Sequence, residues 1–155
     1  MSMSMSFDVA RFARQMKATE EQMHKAARPA AQAGAQVIYN RAKLNASTLR
    51  SDREHYFYGK TAAKAPKGQK QNFRYGPFKP GSLYESIYQA FSKDNSGETR
   101  ATYHVSWNRD KAPYAAMVEN GTSRAAPHPF ISNAIHDGES EALAAMERTF
   151  LALIS

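Results

Sequence analysis

The chain has 155 residues, a hydrophobic fraction of 42% and a formal net charge of +7, which suits one globular domain with a modest core and excludes wholesale disorder. It contains no cysteine, so disulfides and thiolate chemistry are excluded and a reducing cytoplasm is suitable. No apolar run approaches the ~18 residues of a membrane-crossing helix, and the opening MSMSMS lacks the basic-then-apolar build of a secretory signal.

Residues 1–6 read as a flexible lead-in. From residue 7 to about 45 the pattern is helical. Val9, Phe12, Met16, Met23, Ala27, Ala30, Gly34, Val37, Ile38 and Leu44 recur at spacings suited to one buried face. Ser6 is placed to cap this helix, and Asp8 to meet the positive end of its dipole. Arg28-Pro29 predicts a kink or two abutting helices, because an interior proline removes a hydrogen bond and clashes with the preceding turn. Beyond it, Ala30, Ala31, Ala33, Gly34 and Ala35 make a thin side that lets another backbone approach closely.

Residues 47–80 are too long and too polar for an ordinary connection. They hold Arg50, Arg53, Lys60, Lys64, Lys67, Lys70, Arg74 and Lys79 against only Asp52 and Glu54, so most of the net charge sits in this one segment. Tyr56, Phe57 and Tyr58 flank its low-complexity middle on one side, and Phe73, Tyr75 and Phe78 on the other. The expectation is a basic arm or long hairpin inserted after the first helix, with its aromatics as clamps or as contacts for another molecule.

Ser82, with Glu85 three residues on, has the spacing of a capping box over a short helical turn. A strand follows at 87–92, then a turn at Asp94-Asn95-Ser96-Gly97. Residues 99–107 alternate, with Ala101, Tyr103, Val105 and Trp107 on one face, which predicts a half-buried strand hairpinned to the one before. Tyr114, Ala115, Met117 and Val118 form a short apolar element, either a third strand or a helical piece. Asn120-Gly121 then forces a turn. Pro127-His128-Pro129 fixes an extended approach to a last helix, where Pro129 sits at or near the first position. That helix is striped by Phe130, Ile131, Ala134, Ile135, Leu143, Met146, Phe150 and Leu153, and Gly138 is placed to break it. The fold class expected is α+β within one domain: a small antiparallel sheet packed by the long, kinked first helix and the last helix, with the basic arm inserted.

The pattern Tyr114-Ala115-x-x-Val118-Glu119-x-Gly121-Thr122 leads into Pro127-x-Pro129-Phe130-Ile131-x-x-Ala134-Ile135, and upstream stands Gly81-x-Leu83-x-x-Ser86-Ile87. These stretches, in this order and spacing, resemble a tail-component family of long-tailed bacteriophages, the small head–tail joining or tail-completion proteins. The resemblance covers roughly the second half of the chain. It implies a structural role for the matched residues. It also implies a ring, commonly a hexamer, between a tail terminator or tail-tube protein and the head connector or stopper. Such a protein is made in the host cytoplasm and ends in the virion at the head–tail junction.

Nothing in the pattern argues for catalysis. His24, His55, His104, His128 and His136 show no metal-ligand spacing, and there is no phosphate-binding or nucleophile-elbow motif. No metal and no cofactor are expected. Glu119 is a lone carboxylate in an apolar element without an acid or base nearby in sequence. The expectation for it is structural: bonding to the Gly121-Thr122 turn or pairing with Arg124. An enzyme such as a nuclease or cell-wall hydrolase, relying on Glu119 or His128, is a remote reading. The basic arm admits a contact with a neighbouring protein, with DNA in the central channel, or a second identity altogether, a small nucleic-acid-binding protein. The lead-in, the arm and the loop at 122–130 are the surfaces expected to meet neighbours in a ring. No membrane partner is expected.

Overall fold

A computed structural model describes residues 9–49, 52–59, 73–98 and 100–155. Its elements are α1 (Val9–Thr48), β1 (His55–Gly59), β2 (Phe73–Phe78), α2 (Ser82–Ser86), β3 (Ile87–Phe91), β4 (Tyr103–Trp107), α3 (Ala115–Asn120) and α4 (Ile131–Ile154). The fold is mixed α+β, with long helices at both ends. Strands β1 and β2 form one two-stranded ladder, and β3 and β4 form another. Ser92 N–H donates to Thr102 O, and Asn108 N–H donates to Ser86 O. As residue numbers rise on one side they fall on the other, so β3 and β4 run antiparallel. The alternating stretch forms a ladder only over Tyr103–Trp107, shorter than expected, and the element at 115–120 is a helix.

The described chain forms two compact units. One holds α1 through Val37, Ala90–His104 and Ser140–Ser155; the other holds Ile38–Gln89 and Val105–Glu139. In the first, the buried apolar residues are small: Ala26, Ala30 and Ala142. The thin side of α1 serves close approach, since a side chain at Gly34 would collide with Met146 at 2.5 Å and meet the Ala142 carbonyl at 3.3 Å. Arg28 lies over the Phe91 ring at 4.2 Å, and Phe91 tilts against Tyr103 with ring centroids 5.3 Å apart. The second unit has the richer core: Leu83, Ile87, Tyr114, Phe130 and Ile131, closed by Ala42, Ala46, Ala112, Ala115 and Ala134.

Several expectations need correction. Helix α1 continues through Pro29 as one 40-residue helix, so it is not two abutting helices. Lys25, whose carbonyl loses its partner at Pro29, and Pro29 itself are both exposed, and water can satisfy the freed group. Gly138 does not break α4. A side chain there would meet Arg41 at 2.8 Å and Ile38 at 3.0 Å, so the glycine serves packing. The stripe read as one buried face is only partly so. Ala30 and Ala134 are buried, while Met16, Met23, Leu44, Leu143 and Leu153 remain about half exposed or more. Met117 is likewise exposed. Ser82 does not cap α2: the capping position is Gly81, at φ 83°, and the Ser82 hydroxyl donates to the Lys79 carbonyl instead. Ser6 and Asp8, the expected cap of α1, and the lead-in at 1–6 lie outside the described residues.

Replacing Gly34 with valine forces Met146 to move or α1 to retreat, and should cost about 1–3 kcal/mol in urea unfolding. Gly97→Ala, which meets nothing within 4 Å, should stay within about 0.5 kcal/mol of the parent.

Candidate functional site

The two stretches singled out in the sequence, at 81–87 and 114–135, meet in the second unit. Leu83 and Ile87 from the upstream stretch share one buried cluster with Tyr114, Phe130, Ile131 and Ala134, and the buried Ser86 stands beside them in sequence. Gly81 supplies the left-handed residue that opens α2, and its carbonyl accepts from Glu85 N–H at 2.9 Å. Ser86 turns its hydroxyl back to the Leu83 carbonyl at 2.7 Å, satisfying a polar group that is almost wholly buried. Tyr114 packs edge-on to Phe78, with ring centroids 4.8 Å apart. Burial raises its phenol above the ordinary value, and a backbone hydrogen bond at Leu83 partly offsets this.

The loop from Gly121 to Phe130 is tied at both ends. Thr122 and Ala125 exchange backbone bonds, and the Thr122 hydroxyl accepts from the N–H of Arg124 and of Ala125. His128 N–H donates to the Val118 carbonyl at 2.7 Å, satisfying a group that the end of α3 leaves open. Gly121 has φ 74°, and any side chain there would meet the Pro127 nitrogen at 2.8 Å. Pro127 and Pro129 bring the chain extended to Phe130, which is almost wholly buried and lies T-shaped to Trp107 with ring centroids 5.9 Å apart. The Phe130 carbonyl accepts from the Asn45 side-chain amide at 3.0 Å.

Glu119 joins these parts. One carboxylate oxygen accepts from Phe130 N–H at 2.8 Å and Ile131 N–H at 3.0 Å. The other accepts from Ser132 N–H at 2.9 Å and from the Ser132 hydroxyl at 2.5 Å. Helix α4 has no acidic residue in its first turn, and Phe130 before it has no side-chain acceptor. Glu119 therefore supplies the cap from another element, facing the positive end of the helix dipole. This corrects the expected partners, the Gly121-Thr122 turn and Arg124. Burial works against the charged form, but the Ser132 hydroxyl and the three backbone N–H groups outweigh it and hold the carboxyl below its ordinary value. A helix start without its own cap, soon after a lone carboxylate among apolar residues, is the sequence signal that points to this pairing.

The expected arm is a hairpin at its base. Strands β1 and β2 pair antiparallel, with Phe57 opposite Tyr75, Tyr58 opposite Arg74 and Gly59 opposite Phe73; an irregularity follows between Phe57 and His55. Pro77 lies on the partner strand where the register shifts, a place that tolerates a residue without N–H. Tyr56 belongs to β1, and Arg53 is exposed before it. Arg50, Lys60, Lys64, Lys67 and Lys70 lie outside the described residues. A further exposed patch was not evident from the sequence. Lys43 Nζ stands 4.2 Å from the Tyr84 ring centroid and 5.4 Å from that of Tyr39, beside an exposed Leu44.

Among the described residues, no group of three or more His, Asp or Glu side chains is arranged to hold a metal ion. His24 contacts the Glu98 carbonyl and stands 3.6 Å from Glu20, whereas His128 and His136 are exposed. No helix among the described residues is long and apolar enough to cross a membrane. No family model, curated protein or solved structure matches the chain.

Glu119→Ala should destabilise the protein by about 2–4 kcal/mol, because three helix-start amides lose their acceptor. Glu119→Gln, which keeps one acceptor oxygen, should cost less. The carboxyl is held below its ordinary value of 4.5, so its stabilisation is full above that value and is lost as pH falls through the lower folded-state value. Urea midpoints against pH for the parent and Glu119→Gln should therefore converge on the acid side.

Proposed function

We propose that this chain is a non-enzymatic virion subunit at the head–tail junction of a long-tailed phage. It forms a ring, six-fold in the resembled family, that completes the tail and meets the head connector. The observation that supports this reading most is the convergence of the patterned residues. Gly81, Leu83, Ser86 and Ile87 and the stretch from Tyr114 to Phe130 are separated in sequence, yet each has a defined task in one unit. Gly81 and Gly121 carry positive φ, Glu119 caps α4, and Tyr114 and Phe130 fill the core. Such agreement is what a shared fold requires, whereas a chance string match does not demand it. These placements are structural ones, which suits a virion subunit.

A ring closes through heterologous contacts, in which one patch meets a different patch on the next copy. The hairpin of β1 and β2, with its basic connecting residues, is suited to reach across to an acidic surface on a neighbour or on the connector. The patch of Tyr39, Lys43, Leu44 and Tyr84 has the aromatic and aliphatic make-up of an interface centre with a cation at its edge. Tail terminator or tail-tube protein on one side and connector or stopper on the other are the partners this role requires.

The concentration of basic residues in 47–80 is the one observation that favours a nucleic-acid-binding protein, and the two readings separate cleanly. Light scattering and sedimentation of the purified protein, alone and with assembled tails, should show a discrete ring or a monomer that oligomerises on tails. Replacing Lys60, Lys64, Lys67 and Lys70 with Gln should then weaken the assembly and leave the fold intact. A monomer indifferent to tails, bound by DNA with an affinity that falls steeply as salt rises and is lost in the same variant, would reverse the assignment.

A further inference from the structure

The second unit carries an open groove of about 340 Å³ between the last turns of α1 and α2, lined by Tyr39, Asn40, Lys43, Leu44, Ser47 and Tyr84. The five α1 residues lie side by side or one turn apart, so they share one face of the helix. Lys43 is the anomaly of this face. Its Nζ rests 4.2 Å from the Tyr84 ring centroid and 5.4 Å from that of Tyr39. Among the described residues, no carboxylate pairs with it and no acceptor takes a hydrogen bond from it. Beside it Leu44 is 65% exposed and Tyr84 40% exposed. A free lysine samples many rotamers, and the loss of that freedom cancels much of the gain from a surface ion pair. Here two ring faces hold the ammonium in place beforehand, so a carboxylate that meets it finds the ordering already done.

We infer that this groove docks a segment of a different protein in which an Asp or Glu stands beside an aliphatic side chain, with the carboxylate on Lys43 and the aliphatic group on Leu44. The chain itself does not supply that carboxylate. Of its 14 acidic residues, all but Asp8 lie among the described ones, and none of those pairs with Lys43. Asp8 precedes Val9, where α1 starts, and Lys43 lies ~51 Å further along that helix. Residues 60–72 hold Lys60, Lys64, Lys67 and Lys70 and no acidic residue, so the arm would bring like charge. A second copy carries the same net +7 and is repelled as a whole, whereas an acidic partner is drawn in. Nucleic acid fits less well. A base stacks on an open ring face, but Lys43 already covers the Tyr84 ring, and Leu44 has nothing to meet on a phosphate backbone. In the junction reading, on which only the partner's identity rests, this face meets the connector or the tail and not the next copy.

The test uses the full chain and a fluorescent peptide of sequence GLDELDELG, with binding read by anisotropy. Saturable binding is expected. It should weaken about threefold or more, the measure of one exposed but well-placed ion pair, for Lys43→Met and for the uncharged peptide GLNQLNQLG. Leu44→Ser and the leucine-free peptide GSDESDESG should weaken it as well. Lys43→Arg should keep it. Replacing Lys60, Lys64, Lys67 and Lys70 with Gln should also leave it in place, which separates the groove from general attraction to the arm. Circular dichroism checks that the variants stay folded. No saturable binding, binding indifferent to Lys43→Met, or displacement of the peptide by oligothymidylate in the arm variant overturns the inference. So does self-association of the full chain that Lys43→Met abolishes, since the occupant would then be a second copy. Sedimentation with assembled tails is measured alongside. Groove binding in a chain that never joins tails would sink the junction reading while leaving the groove's ligand as assigned. A chain that joins tails and never binds the peptide would do the reverse.

Discussion

The first amides of an α-helix find no partner inside that helix, and at the start of α4 the carboxylate of Glu119 takes those of Phe130, Ile131 and Ser132. The bonds reach across more than ten residues of chain, so they fix more than a helix end. They set where α3 stands against α4, and they close the loop in which Gly121 turns and Pro127 and Pro129 keep the chain extended. They also hold the backbone of Phe130, whose ring fills the centre of this unit against Trp107. A carboxylate is expensive to bury unless its lone pairs are filled. Here four donors fill them, and the charged form is favoured despite burial. The surrounding pattern of small, rigid and apolar residues follows from that requirement.

Much of this organisation can be read from sequence, because long helices declare themselves by period. The stripe from Val9 to Leu44 and the one from Phe130 to Leu153 locate α1 and α4. The Asp94–Gly97 turn between apolar runs locates the β3 and β4 pair. What stays hidden depends on partners distant in sequence. Glu119 reads as a local turn-binder because its real donors belong to a helix whose lack of a cap is noticed only once its start is known. Ser82 and Glu85 have capping-box spacing, yet the left-handed Gly81 shifts the helix start and the hydroxyl finds Lys79 instead. Pro29 reads as a kink or a junction of two helices, and Gly138 as a break, from intrinsic preference. Exposure at Pro29 lets one helix continue through it, and close approach of Arg41 and Ile38 overrules the break at Gly138. Period alone does not tell which members of a helical stripe a neighbour covers, and Met16 and Met23 read as core yet stand at the surface.

The two units differ in how they are held. The second has large aromatic and aliphatic side chains around an enclosed carboxylate, with backbone ends satisfied by Glu119, Asn45 and Val118. Among its described residues the first buries alanines, with close helix approach and Arg28 stacked over Phe91. Alanine burial removes little apolar surface from water, so the described core of the first unit is the thinner of the two.

The most direct test of the role given to Glu119 is its own titration, followed by carboxyl-carbon NMR together with the amide resonances of Phe130, Ile131 and Ser132. A midpoint below the ordinary 4.5 of a glutamate is expected, with the three amides moving on the same curve as their acceptor is protonated. A midpoint at or above the ordinary value, with amides indifferent to it, would mean that the carboxylate does not hold the helix start and that the loop owes its closure to something else.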